Sequence, residues 1–359
     1  MTPSSEPHLS VLASPAASVE NDNPYLDLLY GLMPGVRVTA FTRRRLLDRY
    51  DVVHVHWPEF LIRWERLGTA SLDIVKVLVL LAVARRRGAV LVWTGHDLSA
   101  HESVRPRLLR AFQRGFVRQV DGVINLADGS AEELRSRHPG LAGTPMATVR
   151  HGHYRDSYGQ PPTSSEARAT LGIGPDELVL LMLGQLREYK NAEALMKVVG
   201  RDDHLTLIVA GRPHDQALRT RLAATAKLCD RVHAVLETVP HQDVPGYHGA
   251  ADVVVLPYKQ GTALHSGAAL LALSLNRPVV MAASSPAKEL REVVGPEWVY
   301  LHDGTVPGAI AEAKLAARQE RSPMAPLQGL DWPGLRQQTV DFYRVVADRR
   351  KARKSARLL

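Results

Sequence analysis

Two cations three residues apart, Arg187 and Lys190, follow an apolar run that ends in Gly184, within LVLLMLGQLREYKN at positions 178–191. Read as a buried parallel strand, that run puts the glycine at its carboxyl end and both cations just ahead of a helix that begins near Ala192. Beyond the carboxyl ends of such strands, loop and helix-start N–H groups point outward. Together with side-chain cations they can hold a diphosphate. The alternative is a pair of solvated surface cations, and a second stretch weighs against it. In ADVVVLPYKQGTALHSGAALLALSLNRPVVMA, positions 251–282, a buried strand over 252–256 leads through Tyr258, Lys259, Thr262 and His265 to Ser266-Gly267, and a small-residue helix follows over 268–275. At that helix start the serine can cap, the glycine lets a ligand approach the backbone, and the helix dipole favours an anion.

In the first half, polar residues collect where other strands end. HVHWPE supplies His54, His56, Trp57 and Glu59; GHDLSAHE supplies His96, Asp97, His101 and Glu102; RHGHY supplies His151 and His153. The histidines come from separate loops without the helical spacing of a metal motif, so no metal site is assigned. As isolated groups they are also explained as bonded or packed core histidines. Trp57 and Tyr25 could stack on a sugar or lipid, or belong to the core or its rim.

The segments LGQLREYKN, VAGRP at 209–213, ADVVVLPYK and the small-residue helix before NRPVV resemble, in order and spacing, the C-terminal nucleotide-sugar domain of GT-B glycosyltransferases, in particular bacterial exopolysaccharide and glycolipid enzymes. The resemblance implies an α/β protein of two Rossmann-like, doubly wound domains facing a cleft. It implies a donor site built from Gly184, Arg187, Lys190, Tyr258, Thr262, Ser266 and Gly267, and an acceptor side with His56, Trp57 and His153. The co-substrate would be a nucleotide-diphosphate sugar, used without a metal cofactor, and the acceptor a sugar, glycolipid or other lipid-linked molecule. Many retaining members carry two glutamates eight positions apart around this helix; Ala263 and Leu271 occupy those positions here. Their absence leans toward inversion, which needs a general base on the first domain: Asp97 first, Glu59 second, with His96 a further candidate that could also orient Asp97 or the donor sugar. Two other readings keep the architecture: a noncatalytic carbohydrate- or membrane-binding module, and a nucleotide-sugar 2-epimerase. A dehydrogenase is disfavoured because no strand is followed by GxGxxG.

The elements that must position these residues alternate strand and helix along the whole chain, which predicts parallel sheets with helices on both faces. At 359 residues and 45% apolar content, two domains are expected. Residues 1–22 read as a disordered leader, 23–160 as the acceptor domain, 161–330 as the nucleotide-sugar domain, and 331–359 as a helix crossing back with a basic tail. The Gly/Pro/Ser-rich stretch between His153 and Glu166 reads as the linker. One cysteine, Cys229, and the lack of a signal-like start fit a cytoplasmic protein. The longest uninterrupted apolar run, Val77 to Ala84, is too short to span a bilayer. A net charge of +8 implies an anionic partner. Nucleic acid is disfavoured, because aromatic residues make up only 6% and no zinc-finger or RNA-binding signature is present. A helix expected over 103–120 aligns Arg107, Arg110, Arg114 and Arg118 in one stripe. That stripe suits either an anionic membrane surface or a merely solvated face.

Overall fold

The computed structural model describes residues 9–18, 23–96, 105–259 and 266–356. Its first half runs β1 (Leu9–Ser14), α1 (Tyr25–Tyr30), β2 (Val36–Ala40), β3 (Val52–Val55), α2 (Leu67–Arg86), β4 (Val90–Gly95), α3 (Pro106–Val117), β5 (Gly122–Asn125), α4 (Ser130–Arg137) and β6 (Met146–Thr148). The second half runs α5 (Ser164–Leu171), β7 (Leu178–Leu183), α6 (Ala192–Val199), β8 (Leu205–Ala210), α7 (Gln216–Ala226), β9 (Val232–Val235), α8 (Val244–Ala250) and β10 (Val253–Leu256). It continues with α9 (Gly267–Ser274), β11 (Val279–Ala282), α10 (Ser285–Val294), β12 (Val299–His302), α11 (Val306–Arg318) and α12 (Trp332–Ser355).

The strands form two parallel six-stranded sheets, in the orders β2-β1-β3-β4-β5-β6 and β12-β11-β10-β7-β8-β9. In each sheet the order reverses once, between β1 and β3 and between β7 and β10. Crevices open at such reversals beyond the carboxyl ends of the strands, because the crossover helices leave on opposite faces there. The fold is therefore α/β and doubly wound, as the alternation predicts. Each sheet is covered on both sides. In the first, Leu12, Val53 and Leu91 pack toward α2 and α3, while Val11, Val52 and Val92 pack toward α1 and α12. The C-terminal helix thus completes the core of the first sheet. A side-chain carbon at Gly122 would fall 2.5 Å from Val346 of α12, so β5 and that helix touch backbone to side chain.

Two expectations need correction. Leu9–Ser14, inside the stretch read as a disordered leader, is a strand at the reversal of the first sheet, paired on both sides with β2 and β3. LSVLAS is short and sits among Ser, Pro and Ala, so its strand state comes from burial of Val11, Leu12 and Ala13 between two neighbours, not from local pattern. The stretch read as linker already begins α5 at Ser164. Thr163 and Glu166 form a reciprocal capping box there, which the sequence TSSE encodes.

Candidate active site

β7 and β8 end side by side in Gly184 and Gly211, with φ of 119° and 149°. A Cβ on Gly211 would lie 2.0 Å from the Gly184 carbonyl oxygen, so only glycine permits this approach and the floor of the crevice is bare backbone. Above it opens a space of about 1360 Å³, open solvent at its mouth included, lined among others by Gly184, Lys190, Arg212, Gly267 and Leu271. Asn191, in the left-handed region at φ 58°, donates from Nδ2 to the Pro257 carbonyl at 2.8 Å, and Lys259 N donates to Tyr189 O at 2.9 Å. These bonds tie the loop after β7 to the loop after β10 and hold the Lys190 ammonium 5.2 Å from the Tyr258 ring centroid. Arg187 turns differently: its guanidinium donates to Gln185 Oε1 at 3.0 and 3.2 Å, and Lys190 is the cation of the pair that lines the space. Arg212, within the VAGRP segment, supplies the second cation on that wall.

Ser266 caps α9, its Oγ accepting from Ala269 N at 3.2 Å. Leu271 lines the same space, so the wall at this position is apolar. Thr262 and Ala263 lie outside the described residues. A Cβ on Gly267 would sit 2.9 Å from Asn23 Nδ2 and 3.3 Å from the Tyr154 hydroxyl. That hydroxyl donates to Asn23 Oδ1 at 2.7 Å and is 3.1 Å from His151 Nε2. Residues from the first half and from the link between the sheets therefore close on the start of α9. A second cavity of about 470 Å³ runs between the sheets there, with Arg150, His151, Ser266 and Glu289 in its wall. Arg150 spans the halves, donating to Glu289 Oε1 and to Asp128 Oδ2, each at 2.9 Å.

At the carboxyl ends of β3 and β4 lies a buried chain of hydroxyls and imidazoles. His54 Nε2 pairs with Thr94 Oγ1 at 2.7 Å, and His54 Nδ1 meets the hydroxyls of Tyr30 at 2.7 Å and Tyr343 at 2.6 Å. The Tyr30 hydroxyl also meets His56 Nε2 at 2.7 Å, and His56 Nδ1 meets His96 Nε2 at 2.9 Å. Trp57 stacks on His96 with centroids 4.2 Å apart, and Tyr25 packs against His56, His96 and His151. When His56 donates from Nε2 to Tyr30, its Nδ1 accepts from His96, and His96 is left with Nδ1 as its acceptor nitrogen. His56 is thus a support for His96. His56 and His153, expected on the acceptor side, are buried like His96. His153 pairs with Asp331 at 3.1 Å and accepts Trp332 Nε1 on its carbonyl, pinning the start of α12. Glu59 is half-buried in a short turn beside Trp57, and its carbonyl accepts Trp64 Nε1. Asp97 follows His96 directly and lies outside the described residues.

Burial keeps His54, His56 and His248 neutral. It lowers His54 to about 3 and, in the second domain, His248 to about 4, and it pushes His56 well below its usual value with His54 adding to the effect. An unfolded imidazole titrates near about 6.5. Between that value and the folded ones the unfolded chain holds protons that the native state refuses. Stability is therefore fully present above about pH 6.5 and falls as the pH drops toward 4, by up to about 1.4 kcal/mol per unit per ring. A melting series is expected to show the midpoint falling steeply across that window. A flat profile would mean that the rings are not held neutral.

With this geometry described, known proteins can be set beside this one. The family described as "Glycosyl transferases group 1" matches residues 163–296. The chain is 33% identical over 340 residues to a GDP-mannose:glycolipid 4-beta-D-mannosyltransferase of Xanthomonas campestris pv. campestris, covering 92% of this chain and 90% of that one. The chain belongs to the group 1 glycosyltransferases. It is a hexosyltransferase. The fold of this glycosyltransferase is similar to that of Anabaena HepE in complex with UDP-glucose, at TM-score 0.64 and 16% identity over 93% of this chain and 99% of that one. It is also similar to a glycosyltransferase from Rickettsia africae, at TM-score 0.57 and 9% identity over 94% and 98% of the two chains.

Asn23, Tyr154 and Arg212 were not among the residues expected to form the site. Arg212 had a signal in VAGRP after a strand; Asn23 and Tyr154 had none, because their importance is a distance to Gly267 across the fold.

Proposed function

We propose that this glycosyltransferase moves a hexose, with mannose from GDP-mannose the first candidate, onto a glycolipid with inversion at the anomeric carbon. The observation that carries this reading is the likeness, through both halves of the chain, to the Xanthomonas GDP-mannose:glycolipid enzyme, whose name specifies a β linkage. From an α-linked donor, a β product is inversion. The apolar Leu271 supports it, because no carboxylate stands there for the retaining pattern.

On this reading Lys190, Arg212 and the N–H groups at the start of α9 receive the charge that develops on the departing diphosphate. A residue at the end of β3 or β4 takes the acceptor hydroxyl proton, and the Arg150–Glu289 contact helps to keep the two walls together so that water is excluded. A glycolipid acceptor would bring the cleft to a membrane, on the cytoplasmic side where nucleotide sugars are made.

The proposed donor site is cationic, so a divalent ion is not required to neutralise the leaving group. EDTA is expected to leave most of the rate intact; complete loss, restored by Mn²⁺, would assign that task to a metal. The donor itself is tested by thermal shift with GDP, UDP and dTDP. A nucleotide at about one hundred times its Kd adds roughly 2.7 kcal/mol of apparent stability, and GDP is expected to give the largest shift. A larger shift with UDP would move the donor assignment, and none with any nucleotide would remove the site.

A further inference from the structure

α2 is long and apolar enough, by length and composition alone, to cross a membrane. Its inner face belongs to the protein: Ala70, Ile74, Val77, Leu81 and Ala84 are buried, and the buried Asp73 is held by Arg43 at 2.7 Å and Arg63 at 2.9 Å. The outer face is the anomaly. Leu72, Val75 and Val79, spaced three and four apart, are 52%, 60% and 55% exposed, and Leu67 and Phe60 extend the apolar surface toward the cleft end.

Beside this row lies α3, which contains no acidic residue. Arg107, Arg110, Arg114 and Arg118 are all exposed, and none forms an ion pair among the described residues. The helices are in direct contact, since Gln119 Nε2 donates to the Leu78 carbonyl at 3.1 Å and a Cβ on Gly115 would meet Leu78 Cδ1 at 2.7 Å. A solvated face explains the arginines but not three aliphatic side chains in water next to them. A second copy pairing through this same face would offer the arginines no carboxylate, because α3 has none and Asp73, the one on α2, is buried. An anionic bilayer satisfies both rows: aliphatic side chains enter the headgroup boundary and guanidinium groups meet lipid phosphates.

We propose that the outer face of α2 and α3 is a docking surface for an anionic lipid bilayer. Leu72, Val75 and Val79 insert, and Arg107, Arg110, Arg114 and Arg118 bind the phosphates. Helices in a parallel fold start at the carboxyl ends of the strands, so both helices begin on the side of the sheet that carries His56 and His96. Docking this face brings the cleft to headgroup level. The inference extends the glycolipid reading but stands on this face alone.

The full chain is sedimented with vesicles of phosphatidylcholine alone and of phosphatidylcholine mixed with phosphatidylglycerol. Binding at least about tenfold stronger to the mixed vesicles is expected, weakening as salt is raised. Arg110→Glu/Arg114→Glu is expected to lower it at least about tenfold, and Val75→Ser/Val79→Ser about fivefold. Hydrolysis of GDP-mannose without vesicles reports the donor site separately and is expected to be unchanged in both variants. Equal binding to the two vesicle types, or variants that bind like wild type, would overturn the proposal. So would a wild-type dimer that Val75→Ser/Val79→Ser splits without affecting vesicle binding, because the face would then be a self-interface.

Discussion

Asp97→Asn is expected to reduce turnover by about two orders of magnitude or more while leaving donor affinity within a few-fold of wild type. The substitution keeps volume and removes basicity, so the split between rate and affinity marks a base. The expectation follows from position. Asp97 comes directly after His96, whose ring is held by His56 and stacked on Trp57 at the carboxyl end of β4. On the opposite wall Leu271 offers no carboxylate. Glu59, in the turn after β3, is the second candidate: near-full turnover in Asp97→Asn with loss in Glu59→Gln would transfer the role to it. Full turnover in both would end the assignment of a first-domain carboxylate base.

Lys190→Ala is expected to lower kcat/KM by about a hundredfold, roughly 2.7 kcal/mol of transition-state stabilisation. Its ammonium lines the donor space beside the bare backbone of Gly184, where a departing diphosphate would gain charge. Arg187→Ala, whose guanidinium is engaged with Gln185, is expected to cost only about tenfold. If Arg187→Ala were the more damaging change, the donor would lie on the other side of the β7 loop.

The difference between these two cations shows where the sequence stops being informative. LGQLREYKN is legible as a strand end carrying a glycine and two cations, the pattern of a candidate phosphate loop. Which cation lines the space above Gly184 depends on the short turn at Glu188–Lys190 and on the left-handed Asn191 bonded to Pro257, a contact 66 positions away. The histidine wall is similar. Its members are visible at strand ends, but the pairing of His56 with His96 crosses 40 positions, and the closure of His54 by Tyr343 crosses 289. β1 was missed for the same physical reason. A six-residue strand stabilised by two neighbours carries little pattern of its own, and without it the reversal beside β3 cannot be located. The alternation of apolar strands with helices depends on local period, and it is readable from β2 onward.

The most direct measurement of the central claim is the anomeric configuration of the product formed from α-linked GDP-mannose and a glycolipid acceptor, followed by NMR through the one-bond carbon–proton coupling of the new linkage. Inversion at this cleft is expected to give the β-mannoside. An α-mannoside would contradict it, requiring a retaining mechanism without the glutamates that Ala263 and Leu271 replace.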